Sequence, residues 1–305
     1  MGAREREAGT PSIVNILAGE KTRQAGPRVL PNSAHRRTLA TLAMPMLFRG
    51  RLAPTPTGLL HVGHARTFAV AAARAAGGLV FRLEDLDVAR CQPEFTAAAL
   101  EDLRWLGLTW QEGPDCGGPH GPYCQSERGG LYLEAWRQLA ADRLIYPSPH
   151  SRRDVETAGA APHPGTGGEP IFPPQLRPDD WPLPTDPGGV PWRFRVPDGR
   201  VIRFVDQRLG PVSRTAGTDF GDFVVWRREN LAAYELAVVV DDHLMRIGEV
   251  VRGEDLLTST SRQLLLYEAL GWMPPQFLHT PLVTGAAGQR LAKRTGGLAI
   301  RDLRQ

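Results

Sequence analysis

A chain of 305 residues is long enough for roughly two domains, and its 42% hydrophobic content is ordinary for a globular protein. No apolar run approaches the length of a membrane span. The three cysteines, Cys91, Cys116 and Cys124, make no disulfide framework and fit a reducing cytoplasm. The net charge of +3 excludes a strongly basic surface, and residues 1–46 hold seven Lys/Arg against three Glu. The remaining chain is therefore close to neutral, and any nucleic-acid contact must rest on local patches.

In chain order, residues 1–46 mix Gly, Pro and Arg without sustained periodicity and read as a disordered extension. Met44 or Met46 offers a natural start directly before the first strand. Residues 48–53 read as that strand, and the Pro/Thr/Gly run at 54–58 supplies a turn. His61-Val-Gly-His64 then opens an alanine-rich helix to residue 76. Strand, turn and helix N-terminus is the layout in which a Rossmann-type fold holds phosphate. Two imidazoles on the first helical turn can donate to a phosphate just beyond it, which points to nucleotidyl transfer from ATP. Residues 79–84 predict a strand. Residues 93–106 predict an amphipathic helix with Pro93 near its start, and 128–144 a further helix. From 146 to 197 Pro and Gly dominate and periodicity is lost, which reads as an insertion, partly loop. Beyond it, strands are predicted at 201–206, 222–226 and 246–252, and helices at 234–243 and 258–270.

Six stretches in fixed order carry a resemblance: RLAPTPTGLLHVGHART at 51–67, FRLEDLD at 81–87, AYELAVVVDDH at 233–243, EVVRGEDLL at 249–257, RQLLLYEALGW at 262–272 and RLAKR at 290–294. Together they make the chain similar to class I aminoacyl-tRNA synthetases of the glutamyl group. Within that group it most resembles the glutamyl-queuosine tRNA(Asp) synthetases, which correspond to the catalytic half of glutamyl-tRNA synthetase without its anticodon-binding domain. The resemblance implies an α/β fold: a Rossmann-type catalytic domain with an inserted substrate/acceptor subdomain. The expected division is an extension at 1–46, a first Rossmann half at 47–145, the insertion at 146–200 and a second half at 201–305. It implies ATP with Mg2+ as substrate, L-glutamate and tRNA(Asp) as partners, and transfer of glutamate to the queuosine base in the anticodon; a cytoplasmic location follows from the cysteines, and a monomer is the plain expectation.

Adenylation places extra negative charge on the α-phosphate, and positioned donors meet that charge. The resemblance gives this role to His61 and His64, with Gly63 between them in the ATP site. Lys293 corresponds to the second lysine of the mobile Lys-Met-Ser-Lys-Ser loop, while Arg290 and Ala292 replace the first lysine and the serine. The chain has only two lysines, and Lys21 lies in the extension, so Lys293 is the only lysine of the catalytic body. Gly285, Gly288, Gly296 and Gly297 would let that loop open and close. Glutamate needs a cation for its side-chain carboxylate and an anion for its α-ammonium. Arg51 and Arg252 match the first need by forked hydrogen bonding and Glu84 the second. Ala53, Thr55 and Tyr234 complete the implied pocket, and Asp241, Asp242 and His243 are placed on its ATP side.

The chain departs from the family at the zinc site of the insertion. The positions of the Cys-x-Cys pair, the Tyr and the further Cys hold Ser148, His150, Phe172 and Leu176. Only His150 could ligate, and a structural site needs four ligands, so no zinc is expected. Cys116, His120 and Cys124 read as incidental loop residues. Eleven residues follow Arg294, so no anticodon-binding domain is expected after it. Three alternatives stay open: a truncated glutamyl-tRNA synthetase charging a 3′ end, another nucleotidyltransferase with a His-x-Gly-His turn, and a degenerate paralogue that binds tRNA or glutamate without chemistry.

Overall fold

The computed structural model of the chain describes residues 48–151, 153–155, 171–283 and 298–304. The extension at 1–46, and Lys293 with the glycines, Arg290 and Ala292 around it, lie outside the described residues.

β1 (Gly50–Leu52) runs into the turn before α1 (Val62–Arg74), and β2 (Leu79–Phe81) returns parallel to β1, with Leu52 opposite Phe81. Both strands are wholly buried, so they are short runs without polar alternation, Arg51 apart. Gly50 admits the end of the helix: a Cβ there would lie 2.9 Å from the Cβ of Ala75. α2 (Pro93–Trp105) starts on proline, whose missing N–H costs nothing in a first turn. α3 (Gly129–Ala141) buries Tyr132, Trp136 and Leu139 on one face.

The chain continues through β3 (Ile145–Pro147), β4 (Trp192–Phe194), β5 (Val201–Asp206), β6 (Gly210–Thr215), β7 (Phe223–Trp226), α4 (Tyr234–Leu244), β8 (Glu249–Gly253), α5 (Leu257–Ala269) and β9 (Gln276–Thr280). β8, β9 and β5 are parallel in that order, and β6 closes the edge as a hairpin on β5. β1 abuts β8: the backbone N–H groups of Gly248 and Glu249 both donate to Arg49 O, at 2.8 and 3.2 Å. From this seam β2 lies on one side and β9 on the other, so the strand order reverses there. Open α/β sheets bind ligands at the carboxyl ends of the strands flanking such a reversal. No described helix is long and apolar enough to cross a membrane.

A second core forms where the sequence predicts an irregular insertion. β3, β4 and β7 make an antiparallel sheet whose Trp192 meets Trp136 of α3 edge-on at 4.9 Å. The sheet crosses both expected bounds of the insertion. β7 falls on the strand predicted at 222–226, whereas β3 and β4, three residues each, are too short to show a period-2 pattern between prolines, and the sequence conceals them. β6 and β9 are likewise missing from the predicted elements. β6 is an edge strand of mixed residues, and β9 is five residues after a Pro-Pro pair.

The zinc-site positions are filled by packing. Phe172 is buried, Arg193 sits over its ring at 4.4 Å, and Arg193 Nε donates to Ser148 Oγ at 3.2 Å. His150 tilts against Phe172. Beneath them the side chain of Asp222, fully buried, gathers donors from several segments. It accepts from Tyr146 Oη (2.5 Å), Arg177 Nε and Nη2 (both 2.7 Å) and Val196 N (2.9 Å). Burial, and Asp222 beside it, push the Tyr146 hydroxyl pKa up. Removing one member of a buried pair leaves the other charge uncompensated, at a cost of about 3–5 kcal/mol. Asp222→Ala is therefore expected to lower unfolding stability by that order in urea titrations. A loss below about 1 kcal/mol would show that solvent replaces the hub.

Candidate active site

His61 is the N-cap of α1, and its imidazole takes the part usually played by Ser or Asp. Its Nδ1 accepts from Gly63 N at 3.1 Å, while His64 Nδ1 accepts from the backbone N–H of His61 at 3.2 Å. The two imidazoles thus form a reciprocal capping box, with ring centroids 3.9 Å apart. With both Nδ1 atoms accepting, the neutral rings carry their protons on Nε2 and offer them as donors. A Cβ at Gly63 would lie 2.9 Å from His61 Cε1, so glycine lets the ring fold back over the helix start.

The histidines share one cavity of about 210 Å³ with Arg51, Ala53, Gly63, Glu84, Tyr234 and Arg252. All sit at strand ends flanking the β1/β8 seam or at the start of α1 or α4. The expected site residues are therefore gathered, with two departures. Thr55 is exposed and does not line the cavity, its carbonyl bonding Thr57 N at 2.9 Å. Asp241 and Asp242 are buried in the core behind the cavity, and His243 stacks on Trp272 with parallel rings 4.1 Å apart. Tyr234 opens α4 at the cavity, and Asp241, seven residues on, shares its helix face but lies about 10 Å further along the axis, inside the core.

Behind the pocket lies a buried charge network that sequence reasoning missed. Arg82, with no exposed surface, donates to Asp242 Oδ1 at 2.6 Å and to Glu84 Oε1 at 3.2 Å. Asp241 accepts from Arg128 Nε (2.5 Å), Gln125 Nε2 (2.7 Å) and Tyr132 Oη (3.1 Å). Burial works against the charge of Arg82, yet Asp242, Asp241 and Glu84 hold its pKa well above the ordinary value. Burial raises Glu84, opposed by Arg82 and then Arg51. It lowers Arg51, opposed by Asp242, and pushes Tyr234 up to about 12.

The two pocket arginines keep donors in reserve. Arg51 Nη1 donates to Val251 O at 3.0 Å, which pins it across the seam, while its buried Nε lies 3.6 Å from Asp242 Oδ1 with no hydrogen bond among the described residues. Arg252, 3% exposed, donates through Nη2 to Thr260 Oγ1 at 2.7 Å and through Nε to His279 Nε2 at 3.3 Å. Its Nη1 is buried with no hydrogen-bond partner among the described residues. A buried donor of this kind suits an anionic ligand. Thr67, Phe68, Asp255 and Leu256 also line the cavity. None was legible as a pocket residue, because a helix face and a 3-10 turn give no local signal.

The described residues flanking the Lys293 segment both lie beside the histidines. Val283 lines the cavity, Val62 N donates to Leu298 O at 3.3 Å, and Ile300 N donates to Leu60 O at 2.8 Å. Among the described residues, no group of three or more His, Cys, Asp or Glu is placed to hold a metal. Cys116 is exposed, and His120 instead bonds Glu112 at 3.0 Å. Burial alone would raise Glu112, but hydrogen bonds from Arg49, Tyr123 and His120 bring its pKa down to about 2.

A Rossmann sheet with a histidine-capped helix and an Arg/Glu pocket at its reversal defines a class I tRNA synthetase catalytic domain, and comparison with known proteins agrees. The family model of class I tRNA synthetases (E and Q), catalytic domain, matches residues 48–156 and 186–303. The glutamyl-Q tRNA(Asp) synthetase of Symbiobacterium thermophilum is 48% identical over 262 residues, covering 84% of this chain and 80% of that one. Its counterpart from Nitratidesulfovibrio vulgaris is 47% identical, covering 85% and 81%. A glutamate tRNA ligase from Elizabethkingia meningosepticum, solved with its amino acid, superposes with a TM-score of 0.68 at 29% identity. That match covers 82% of this chain and 52% of the ligase, so the chain spans about half the ligase's length. The chain belongs to the class I aminoacyl-tRNA synthetases of the glutamate and glutamine group, and within them to the glutamyl-Q tRNA(Asp) synthetase family of ligases. Class I synthetases use ATP.

Proposed function

We propose that this enzyme activates L-glutamate with ATP, supplied with Mg2+, and transfers the glutamyl group to the queuosine base in the anticodon of tRNA(Asp). The observation that carries the proposal is one cavity holding a histidine pair at a helix start together with two buried guanidiniums and a carboxylate. Those groups match a phosphate and a zwitterion with a second carboxylate. Arg252 and Arg51 receive the side-chain carboxylate by charge-assisted hydrogen bonds. Glu84, oriented by Arg82, receives the α-ammonium, and Tyr234 and Ala53 close the wall. The α-carboxylate oxygen attacks the α-phosphorus, the bond to the bridging oxygen breaks, and pyrophosphate leaves. His61 and His64 donate to the phosphoryl oxygens as negative charge builds. Neither acts as a base, because the nucleophile is already a carboxylate. Lys293 would hold the leaving pyrophosphate. The acceptor rests on the names of the relatives, and the division of the chain at 146–200 remains a proposal beside it.

The test is glutamate-dependent ATP–pyrophosphate exchange without tRNA, followed by transfer of labelled glutamate to queuosine-containing tRNA(Asp). Exchange with glutamate but not glutamine or aspartate, and label stable only on the modified tRNA, are the expected results. Exchange that requires added tRNA would instead favour charging of a 3′ end. No exchange under either condition would leave a binding paralogue or an enzyme for another acid substrate.

A further inference from the structure

His279 on β9 has no exposed surface and no part in the chemistry above, yet it joins two distant segments. Its Nδ1 lies 2.7 Å from Asp206 Oδ2, which also accepts the backbone N–H of His279 at 3.0 Å. Asp206 ends β5, and its other oxygen accepts from Arg208 N (3.0 Å) and Leu209 N (2.8 Å) in the hairpin turn. The carboxylate is thus locked by backbone and cannot follow a moving ring. On the far side of the imidazole, Nε2 lies 3.3 Å from Arg252 Nε and 2.9 Å from Thr260 Oγ1.

The hydrogens follow from the partners. Asp206 is an acceptor, so Nδ1 carries the proton, and Nε2 presents a lone pair to the N–H of Arg252 Nε. Burial, and then the neighbouring Arg252, bring the His279 pKa down to about 4, so the ring is neutral at physiological pH. Arg252 is therefore held at Nε by His279 and at Nη2 by Thr260, with the Phe277 ring 5.4 Å from its carbon. Three contacts fix the guanidinium plane and leave Nη1 as its buried edge, with no hydrogen bond among the described residues.

We propose that Asp206 and His279 are positioning residues that set the orientation of the Arg252 fork and thereby the affinity of the pocket for the glutamate side chain. Asp206 fixes the imidazole tautomer, the imidazole fixes the fork, and the fork meets the carboxylate. A carboxylate pairs with an arginine in a narrow set of orientations, so rotation of the plane weakens binding with no charge lost. The inference rests on the assignment of Arg252 to glutamate.

Two substitutions separate positioning from packing. His279→Gln places an amide oxygen where Nε2 stood and keeps an acceptor for Arg252. His279→Asn places an amide nitrogen where Nδ1 stood and keeps the bond to Asp206 but gives Arg252 nothing. Both remove the ring. In ATP–pyrophosphate exchange with the full chain, His279→Asn is expected to raise the glutamate KM about ten-fold or more. Its ATP KM should stay within about two-fold, and His279→Gln should stay within about three-fold of the unsubstituted enzyme in both constants. Thermal melts of both variants report any general loosening. Equal effects of Asn and Gln, or equal rises in both KM values, would overturn the inference in favour of a packing role. A glutamate KM unmoved in His279→Asn, while Arg252→Gln raises it, would also overturn it and leave the pocket assignment standing. A glutamate KM unmoved even in Arg252→Gln would overturn the pocket assignment itself.

Discussion

Arg252→Gln is expected to lower kcat/KM for glutamate by about a thousand-fold, with the ATP KM changed less than about three-fold. The side chain is 3% exposed and its Nη1 has no partner among the described residues, so a bound carboxylate meets it out of water. Removing one member of such a desolvated pair costs about 2–5 kcal/mol, largely because the remaining charge is stranded. Gln reaches only as far as the Nε position and keeps an amide donor there, so the loss reads the charge, the fork and its reach together. The same geometry explains the expected rejection of glutamine, whose amide NH2 would face a guanidinium N–H where an acceptor is required. Steady-state exchange with varied glutamate and then varied ATP decides the matter. An ATP KM that rises as far as the glutamate KM would move Arg252 to the nucleotide side.

What the sequence revealed of this site depended on how local each interaction is. The histidine pair lies within four residues, 61–64, so its place at a helix start could be read from the string itself, while the reciprocal capping emerged only in the structure. Arg51, Glu84 and Arg252 are far apart in sequence, and only motif order and resemblance joined them; the fold supplies the reason, since each lies at or just beyond the end of a strand at one crevice. The supports were hidden. Arg82 meets Asp242 across 160 positions, and Asp206 meets His279 across 73. Each reads in its own segment as an ordinary charge or core residue. Buried ion pairs are costly unless hydrogen bonds satisfy them, and that satisfaction comes from tertiary partners no window contains. The ordered structure around the insertion was hidden for a related reason. Its order comes from Asp222 and three strands joined by long connections, while its Pro/Gly composition speaks only of local conformation. Thr55 is the opposite case: a motif position joined to the site by resemblance alone, which the turn places at the surface.

His61→Asn is expected to reduce kcat for exchange by about a hundred-fold while leaving the glutamate KM within about three-fold and the melting temperature nearly unchanged. The choice of Asn follows from the double duty of the ring. Nδ1 of His61 caps α1 by accepting from Gly63 N, and Asn is among the best N-caps, with its oxygen at the same reach. The helix start and the cavity wall therefore survive, and what disappears is the Nε2 donor for the phosphoryl oxygens. His61→Ala would confound the two, because losing a cap alone costs about 1 kcal/mol of stability. His61→Gln makes the reverse exchange: its amide nitrogen reaches the Nε2 position while the cap is lost, so its melting temperature should fall while part of kcat returns. The two rings are 3.9 Å apart, and in the proposed mechanism they address one charge centre. Adding His64→Asn to His61→Asn should therefore cost less than the product of the single effects, since groups acting as a unit fail together. A double variant with fully multiplicative losses would mean that the histidines serve separate oxygens independently. Losses in the glutamate KM rather than kcat would mean that the pair binds the amino acid and not the transition state.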